Sequence, residues 1–398
     1  MVLNQSLPQL DIAPDMIHLG IGQPSSDLLP AKYMEKAAAH CLSKENSFYL
    51  AYGEAKGNRN FRKTLSGFLA GQYSNPVDPE QLLITNGNSQ ALDFICTQFT
   101  SPGDTVLVEE PSYFLALKIF ADHKLNLVGI PVDDDGIVTE ALKKKLETLK
   151  PSFLYTIPTY HNPASVTLSA KRRQELVKIC AQKDLLIVAD EVYHFLNYSD
   201  DPPPPMGSWV DKCPLISLGS FSKILAPGLR LGWMHTNTEF VKKMEVSGLL
   251  DSGGGLNPFV SEVVNSVIGL GFLNTHLKHL KKVYGKRIKS FCHHLQRHMP
   301  EQAVFKVPTG GYFVWVELPD GIDTNSFRKA AKKQNVNFYP GTFFSHEKRL
   351  ENYMRLSFAF YDEDVLAEGA RRMGKVISEN ILKKPIGRPD TGDLHPAR

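Results

Sequence analysis

The segment SLGSFSKILAPGLRLGW, residues 217–233, sets Lys223 between two serines and a Pro–Gly pair, with Arg230 seven residues further on. Lysines mostly lie on solvated faces, where the amine stays protonated. One enclosed by apolar residues and turn formers favours its neutral form, and a neutral amine is a nucleophile towards aldehydes. Four other polar clusters carry groups suited to the same chemistry: NGNSQ (86–90), EEPSY (109–113), PTYHNP (158–163) and DEVY (190–193). Singly, each has an ordinary reading. NGNS is a turn and helix cap, Asp190 an N-cap, and Asn162-Pro163 a turn. Their meaning depends on the elements that position them.

Those elements follow from the hydrophobic pattern. QLLIT (81–85), TVLVE (105–109), LNLVGI (125–130), FLYTI (153–157), LLIVA (185–189) and PLISL (214–218) are short apolar runs separated by helix-like stretches. The alternation predicts an α/β fold, a mostly parallel sheet with helices on both faces, with LGWMH (231–235) as an added last strand. In open parallel sheets ligands bind beyond the C-terminal strand ends. All five clusters directly follow a predicted strand, so they converge on one sheet edge. From about Gly269 the texture changes. Residues 274–299 read as one long amphipathic helix. VFKV, GGYFVWVEL, a helix from about Thr324, and MRLSFAF then indicate a smaller α+β C-terminal domain. The expected divisions are an N-terminal segment joining the small domain (1–47), a large domain that carries the five clusters (48–268), the small domain (269–380) and a disordered Pro/Gly-rich tail (381–398).

Bulk properties narrow the class. At 398 residues the chain exceeds one compact core. With 45 basic against 42 acidic residues, charge gives no support for a nucleic-acid or membrane partner. The five cysteines are scattered and contain no CxxC pair, which argues against a disulfide framework or a metal site and for a reducing compartment. The start, MVLNQSLPQLDIAPD, lacks signal-peptide features, and no stretch approaches a membrane span. A cytoplasmic location is the expectation.

The aldehyde cofactor that also carries a phosphate is pyridoxal phosphate. NGNSQ at a helix start offers backbone N–H groups, Ser220 and Ser222 offer hydroxyls, and Arg230 a guanidinium, which together suit the phosphate. The ring nitrogen needs a carboxylate to stay protonated, and Asp190 ends an apolar strand. Asn162 or Tyr193 can donate to the phenolic oxygen, and Tyr113 can cover the ring face.

The chain resembles the fold-type-I, class I/II aminotransferases, and most the branch of 2-aminoadipate and kynurenine aminotransferases. The resemblance rests on YLAYGEAKGNRNFR, ITNGNSQALD, VLVEEPSYFLAL, YTIPTYHNPASVTLS, VADEVYHFL, SLGSFSKILAPGLRLGW, GGYFVWVELP, FYPGTFF and MRLSFAF, in family order over about residues 16–375. It implies that Lys223 holds the cofactor as a Schiff base and then moves the proton, with Asp190 on the pyridinium nitrogen and Asn162 and Tyr193 on the phenolate oxygen. Asn88, Ser89, Ser220, Ser222 and Arg230 would hold the phosphate, and Tyr113 would stack on the ring. Tyr52 would reach the cofactor of a neighbouring subunit, which implies a homodimer with shared sites. Arg355 would grip the substrate α-carboxylate, and Gly22 would lie near the substrate. The implied reaction is ping-pong transfer of an amino group from a bulky L-amino acid, such as 2-aminoadipate or kynurenine, to a 2-oxo acid.

Bland readings stand beside these. Arg355 could be an edge-strand arginine, Tyr52 a core tyrosine, Gly22 a turn, and Tyr193 packing. His161 and His194 flank key residues and fit packing roles, with His161 also a candidate support for the site. The family's usual NPTG turn is NPAS here, and NGNS replaces GSQQ. IGQP is reached by residue 24, so the winged-helix DNA-binding domain of longer family members is expected to be absent. A pyridoxal-phosphate lyase or decarboxylase is the alternative on the same scaffold. A nicotinamide dehydrogenase is disfavoured because no GxGxxG follows an early strand.

Overall fold

The computed structural model of the chain describes residues 13, 15–43, 47–73 and 75–381. Its strands are β1 (Ile17–His18), β2 (Leu82–Thr85), β3 (Thr105–Glu110), β4 (Asn126–Asp133), β5 (Gly136–Ile137), β6 (Phe153–Thr156), β7 (Leu186–Asp190), β8 (Leu215–Ser220), β9 (Gly232–Thr236), β10 (Val304–Phe305), β11 (Phe313–Glu317), β12 (Val336–Asn337), β13 (Tyr339–Pro340) and β14 (Tyr353–Ser357). Eight of them form one sheet in the order β2-β9-β8-β7-β6-β3-β4-β5. The pairs from β8 through β7, β6 and β3 to β4 are parallel.

Both faces of this sheet are apolar, as a parallel sheet requires. Val106 and Val108 of β3 face the core formed with the helices Arg59–Tyr73, Asn88–Phe99 and Phe114–Asp122. Leu107, between them, faces a second core with the helices Thr139–Lys145 and Ala170–Lys183. The latter helix starts where Ser169 Oγ accepts from Arg172 N at 3.3 Å and stops at Asp184, in the left-handed region at φ 50°.

The α/β reading is therefore correct, with two refinements. LGWMH is a strand, β9, but it runs antiparallel to both neighbours, β8 and β2. The two-residue hairpin strand β5 pairs antiparallel with β4 and was too short to carry a periodic signal. Because β9 reverses, β2 points the same way as β8, so the NGNSQ loop leaves the same edge as the others.

The C-terminal region has its own antiparallel sheet, β10-β11-β14-β13. The long helix spans Phe272–His298 and packs against Glu363–Ile381. The helix expected from Thr324 is a 3₁₀ turn, Thr324–Phe327, followed by Arg328–Lys333. VFKV shortens to β10. β1 joins this region by pairing in parallel with β12, Ile17 opposite Val336. The expected tail lies outside the described residues from 382 onwards.

Candidate active site

The chain leaves the sheet at Ser220, at the end of β8, and re-enters at Gly232, which sits opposite it. The intervening loop carries Lys223 and Arg230. Lys223 Nζ donates to the carbonyl of Gly22 at 2.8 Å, and Tyr312 Oη donates to the Lys223 carbonyl at 3.1 Å. Burial and then the Arg355 charge pull the amine down to about 8, against Asp190, which raises it. A substantial share is therefore neutral near physiological pH, which a nucleophilic lysine needs. Gly22 is required by space: a Cβ there would stand 2.9 Å from Phe313 Cζ.

Asp190 ends β7 on the same face as Leu186 and Val188. Asn88 Nδ2 donates to its Oδ1 at 2.7 Å and Tyr155 Oη to its Oδ2 at 3.0 Å. Burial nevertheless pushes the carboxyl up to about 6, because those donors only partly replace water. A buried carboxylate with few charged neighbours is poised for a cationic partner. Asn88 thus turns its side chain to Asp190, and only its backbone N–H is available at the helix start.

Arg355, on β14, is 3 % exposed. Its Nη1 donates to Asn162 Oδ1 at 2.8 Å and its Nη2 to the Gly20 carbonyl at 2.7 Å, while Nε is buried without a hydrogen-bond partner. The rings of Phe313, Phe344, Tyr339 and Phe114 surround the guanidinium at 4.0, 4.9, 5.2 and 6.0 Å. This is a desolvated cation with no carboxylate partner among the described residues, walled by aromatic faces, a ready receptor for an anion.

Tyr193 is buried, its hydroxyl pushed well above the ordinary tyrosine range by burial and faced by the Asn162 amide. Tyr113 caps the helix Phe114–Asp122, and burial pushes its hydroxyl up to about 12, with Arg355, Asp190 and Arg230 all acting on it. Ser220 Oγ donates to Ser222 Oγ at 2.9 Å and accepts from Ser222 N at 3.1 Å. Arg230 adopts φ 46° and hydrogen-bonds the carbonyls of Pro227 and Asn86. Gly87, the helix N-cap at φ 82°, completes a cradle that no side chain could share, since a Cβ would stand 3.0 Å from Arg230 Nη2. Ser89 is exposed in the first helical turn.

The NPAS turn is held from behind. The Asn162-Pro163 peptide is cis, and Ser165 occupies φ 61°, where the family's glycine would be unstrained. Ser165 gains something a glycine lacks: its hydroxyl donates to the Phe313 carbonyl at 2.7 Å. His161 Nδ1 accepts from Ala164 N at 3.1 Å, so its proton sits on Nε2, 3.1 Å from Glu109 Oε2 but poorly aligned for a hydrogen bond. Glu109 itself accepts from Thr156 Oγ1 and Ile157 N, both at 2.7 Å. His194 lies edge-on to Tyr73 and is pulled down to about 3 by burial, which marks it as packing.

The sequence pattern described as aminotransferase class I and II matches residues 14–373. The chain belongs to that family. Among curated relatives, the aromatic-amino-acid aminotransferase 1 of Thermococcus litoralis is 34% identical over 93% of this chain and 89% of its own length. The 2-aminoadipate transaminase of Thermus thermophilus is 30% identical over 94% and 93%. Among solved structures, the Pyrococcus horikoshii kynurenine aminotransferase in complex with PMP superposes with a TM-score of 0.87 at 34% identity, covering 92% of each chain. The protein is thus a class I/II aminotransferase close to the aminoadipate and kynurenine branch, and an enzyme. Membership implies pyridoxal phosphate as cofactor and amino and 2-oxo acids as substrates.

In this aminotransferase, Lys223, Asp190, Asn162, Tyr193, Tyr113 and the Asn88 and Ser220–Arg230 cradle share one edge of the large sheet, where Arg355 from β14 meets Asn162 and the Gly22 carbonyl meets Lys223. Tyr52 stands apart, 87 % exposed. Two residues were missed by sequence reasoning. Tyr155, which donates to Asp190, read only as part of an apolar strand; its one signal was a hydroxyl inside that run. Tyr312, whose ring lies 5.7 Å from Lys223 Nζ, read as part of an alternating strand. Among the described residues, no helix is long and apolar enough to cross a membrane.

Proposed function

We propose that the enzyme transfers the amino group of a bulky, preferably aromatic, L-amino acid to a 2-oxo acid in ping-pong order, using pyridoxal phosphate bound at this edge. The observation that carries the reading is the half-buried Lys223 amine, pulled down to about 8, gathered with the buried Arg355 guanidinium, whose Nε lacks a hydrogen-bond partner, and the buried Asp190 carboxyl. The residues fit the cofactor. Lys223 would bond its aldehyde carbon, Asp190 would pair with its ring nitrogen, and Asn162 and Tyr193 would face its phenolic oxygen. Tyr113 would cover its ring. Its phosphate would lie among the backbone N–H groups at Asn88 and Ser89, the Ser220 and Ser222 hydroxyls and Arg230, in the space that Gly87 leaves open.

When bound, this group supplies an electron sink for the substrate Cα. The chain's own residues do the rest. Arg355 orients the amino acid by its α-carboxylate in a bidentate pair. Gly22 leaves room for that carboxylate beside Phe313. The Lys223 amine, once released, takes the α-proton and returns it as a general base and acid, a role worth roughly 10²–10⁴-fold in rate. Asp190 would supply the negative charge that keeps the bound group's ring nitrogen protonated, and so would hold the acidity of the Cα–H bond up.

The preference for an aromatic donor rests on the walls of the site, Phe114, Tyr339 and Phe344, which are flat and apolar. Two active sites shared in a homodimer are part of this reading. Tyr52 and Leu50 are exposed, as are Val246 and Leu249, on two segments that meet where Gly53 lies against Gly254, and apolar side chains so placed suit burial by a second copy. The test is Lys223→Ala. It should abolish 2-oxo acid release from any donor together with the visible absorption of the loaded enzyme. Full activity in that variant, or pyruvate with ammonia from one substrate alone, would overturn the reading.

A further inference from the structure

The α-carboxylate of either substrate meets Arg355, but a 2-oxo acid acceptor can carry a second carboxylate, and the motifs name no second cation for it. The aromatic cluster around Arg355 leads outward to one. Phe114 and Tyr339 flank the Arg355 guanidinium, and both also contact Phe343, at ring centroid distances of 6.5 and 5.8 Å. Arg328 sits over the Phe343 ring, its Cζ 5.6 Å from the centroid. Two arginines, one buried and one exposed, thus touch the same connected set of aromatic rings.

Several features set Arg328 apart from a routine surface arginine. Arg349, Arg371 and Arg372, elsewhere in the same region, are each paired with Glu347 or Glu368 at 2.7–2.8 Å. Arg328 has no such carboxylate among the described residues. It opens the helix Arg328–Lys333, sequence RKAAKK, with no acidic residue in the first turn. A cation at a helix N-terminus opposes the helix dipole, and Lys329, Lys332 and Lys333 add to the local positive field. The site side feels that field too. His18 stands edge-on to Tyr339 at 5.4 Å and donates no charge of its own, since burial, Arg355 and then Arg328 hold its imidazole down at about 4.

The geometry points to Arg328 as the specificity residue that reads the distal carboxylate of a dicarboxylic 2-oxo acid acceptor. The assignment rests on the transamination reading above. An exposed cation suits one site that must serve two substrates. When an aromatic side chain lies against Phe114 and Tyr339, Arg328 stays solvated and costs nothing. When the acceptor binds, its far carboxylate meets an exposed guanidinium already held against Phe343.

Glutarate, a dicarboxylate that cannot be transaminated, probes this directly. Calorimetry on the cofactor-loaded enzyme should give a dissociation constant that rises roughly three- to tenfold in Arg328→Gln and much less in Arg328→Lys. Glutarate binding should also weaken with added salt, as a rim contact does. The ratio of kcat/KM for 2-oxoglutarate over pyruvate should fall by a similar factor in Arg328→Gln. An unchanged dissociation constant and ratio in that variant, with its circular dichroism intact, would overturn the assignment, as would wild-type enzyme that fails to bind glutarate. A wild type that turns over neither acceptor would strike the transamination reading instead, and the glutarate comparison would still judge Arg328.

Discussion

Arg355 donates to Asn162 at 2.8 Å across 193 residues of chain, and this bond joins the small C-terminal sheet to the loop beyond β6. It ties the group expected to hold the substrate to a group expected to hold the cofactor. Asn162 faces Tyr193 as well, so one amide orients both functions. Arg355→Ala should therefore raise KM for amino and oxo acids at least tenfold, with a smaller loss of cofactor affinity. Steady-state kinetics beside cofactor titration would check the split. A change in cofactor affinity alone would contradict the carboxylate role.

The Lys223 amine sets how cofactor is captured. With the group at about 8 in the enzyme, the neutral, reactive fraction grows as pH rises and levels off above that value. The rate of cofactor binding to the apoenzyme, followed by the growth of visible absorption, should rise about tenfold per pH unit below 8 and then flatten. A flat rate from pH 6 to 8 would show that the amine is not the titrating group.

Asp190 is expected to trade stability for function. Its carboxyl sits at about 6 in the fold against 3.8 ordinarily, so the folded state holds the proton more tightly. The contribution to apoenzyme stability is therefore greatest below pH 4 and is lost as pH rises through 6, leaving a neutral-pH burden on the order of 3 kcal/mol. Asp190→Asn should raise the apoenzyme Tm at pH 7 and erase transamination. An amide can still accept from Asn88 and donate to Tyr155. A lower Tm at pH 7 would mean that the carboxylate is well solvated by its donors.

Ser165 tests the NPAS turn. Ser165→Gly relieves the left-handed backbone at φ 61° but loses the hydroxyl bond to Phe313. The two effects are each about 1 kcal/mol, so Tm should change little. Ser165→Ala keeps the strain and loses the bond, and it should cost about 1 kcal/mol in thermal unfolding.

Shared sites would show by complementation. Tyr52→Ala and Lys223→Ala enzymes, each nearly inactive, should regain activity when unfolded and refolded together, because one of the two sites in a mixed dimer has both residues. No recovery, with dimers confirmed by sedimentation, would place Tyr52 outside the partner's site.

Local sequence determined a good deal here. The short apolar runs between helix-like stretches specified an α/β sheet, because parallel strands are buried on both faces and must be continuously apolar. Turn formers and polar residues at the strand ends located Lys223, Asp190, Asn162 and Arg230 on one edge. These are signals a strand or loop carries within itself. Tertiary structure decided what the residues touch. Tyr155 reaches Asp190 only because β6 and β7 pair in the register that sets Tyr155 opposite Val188. Asn88 turned to Asp190, the direction of β9 reversed, and Lys223 met Gly22, 201 residues away, for the same reason. Hydrogen bonds between distant segments depend on strand register and packing distance, and no window of sequence contains either.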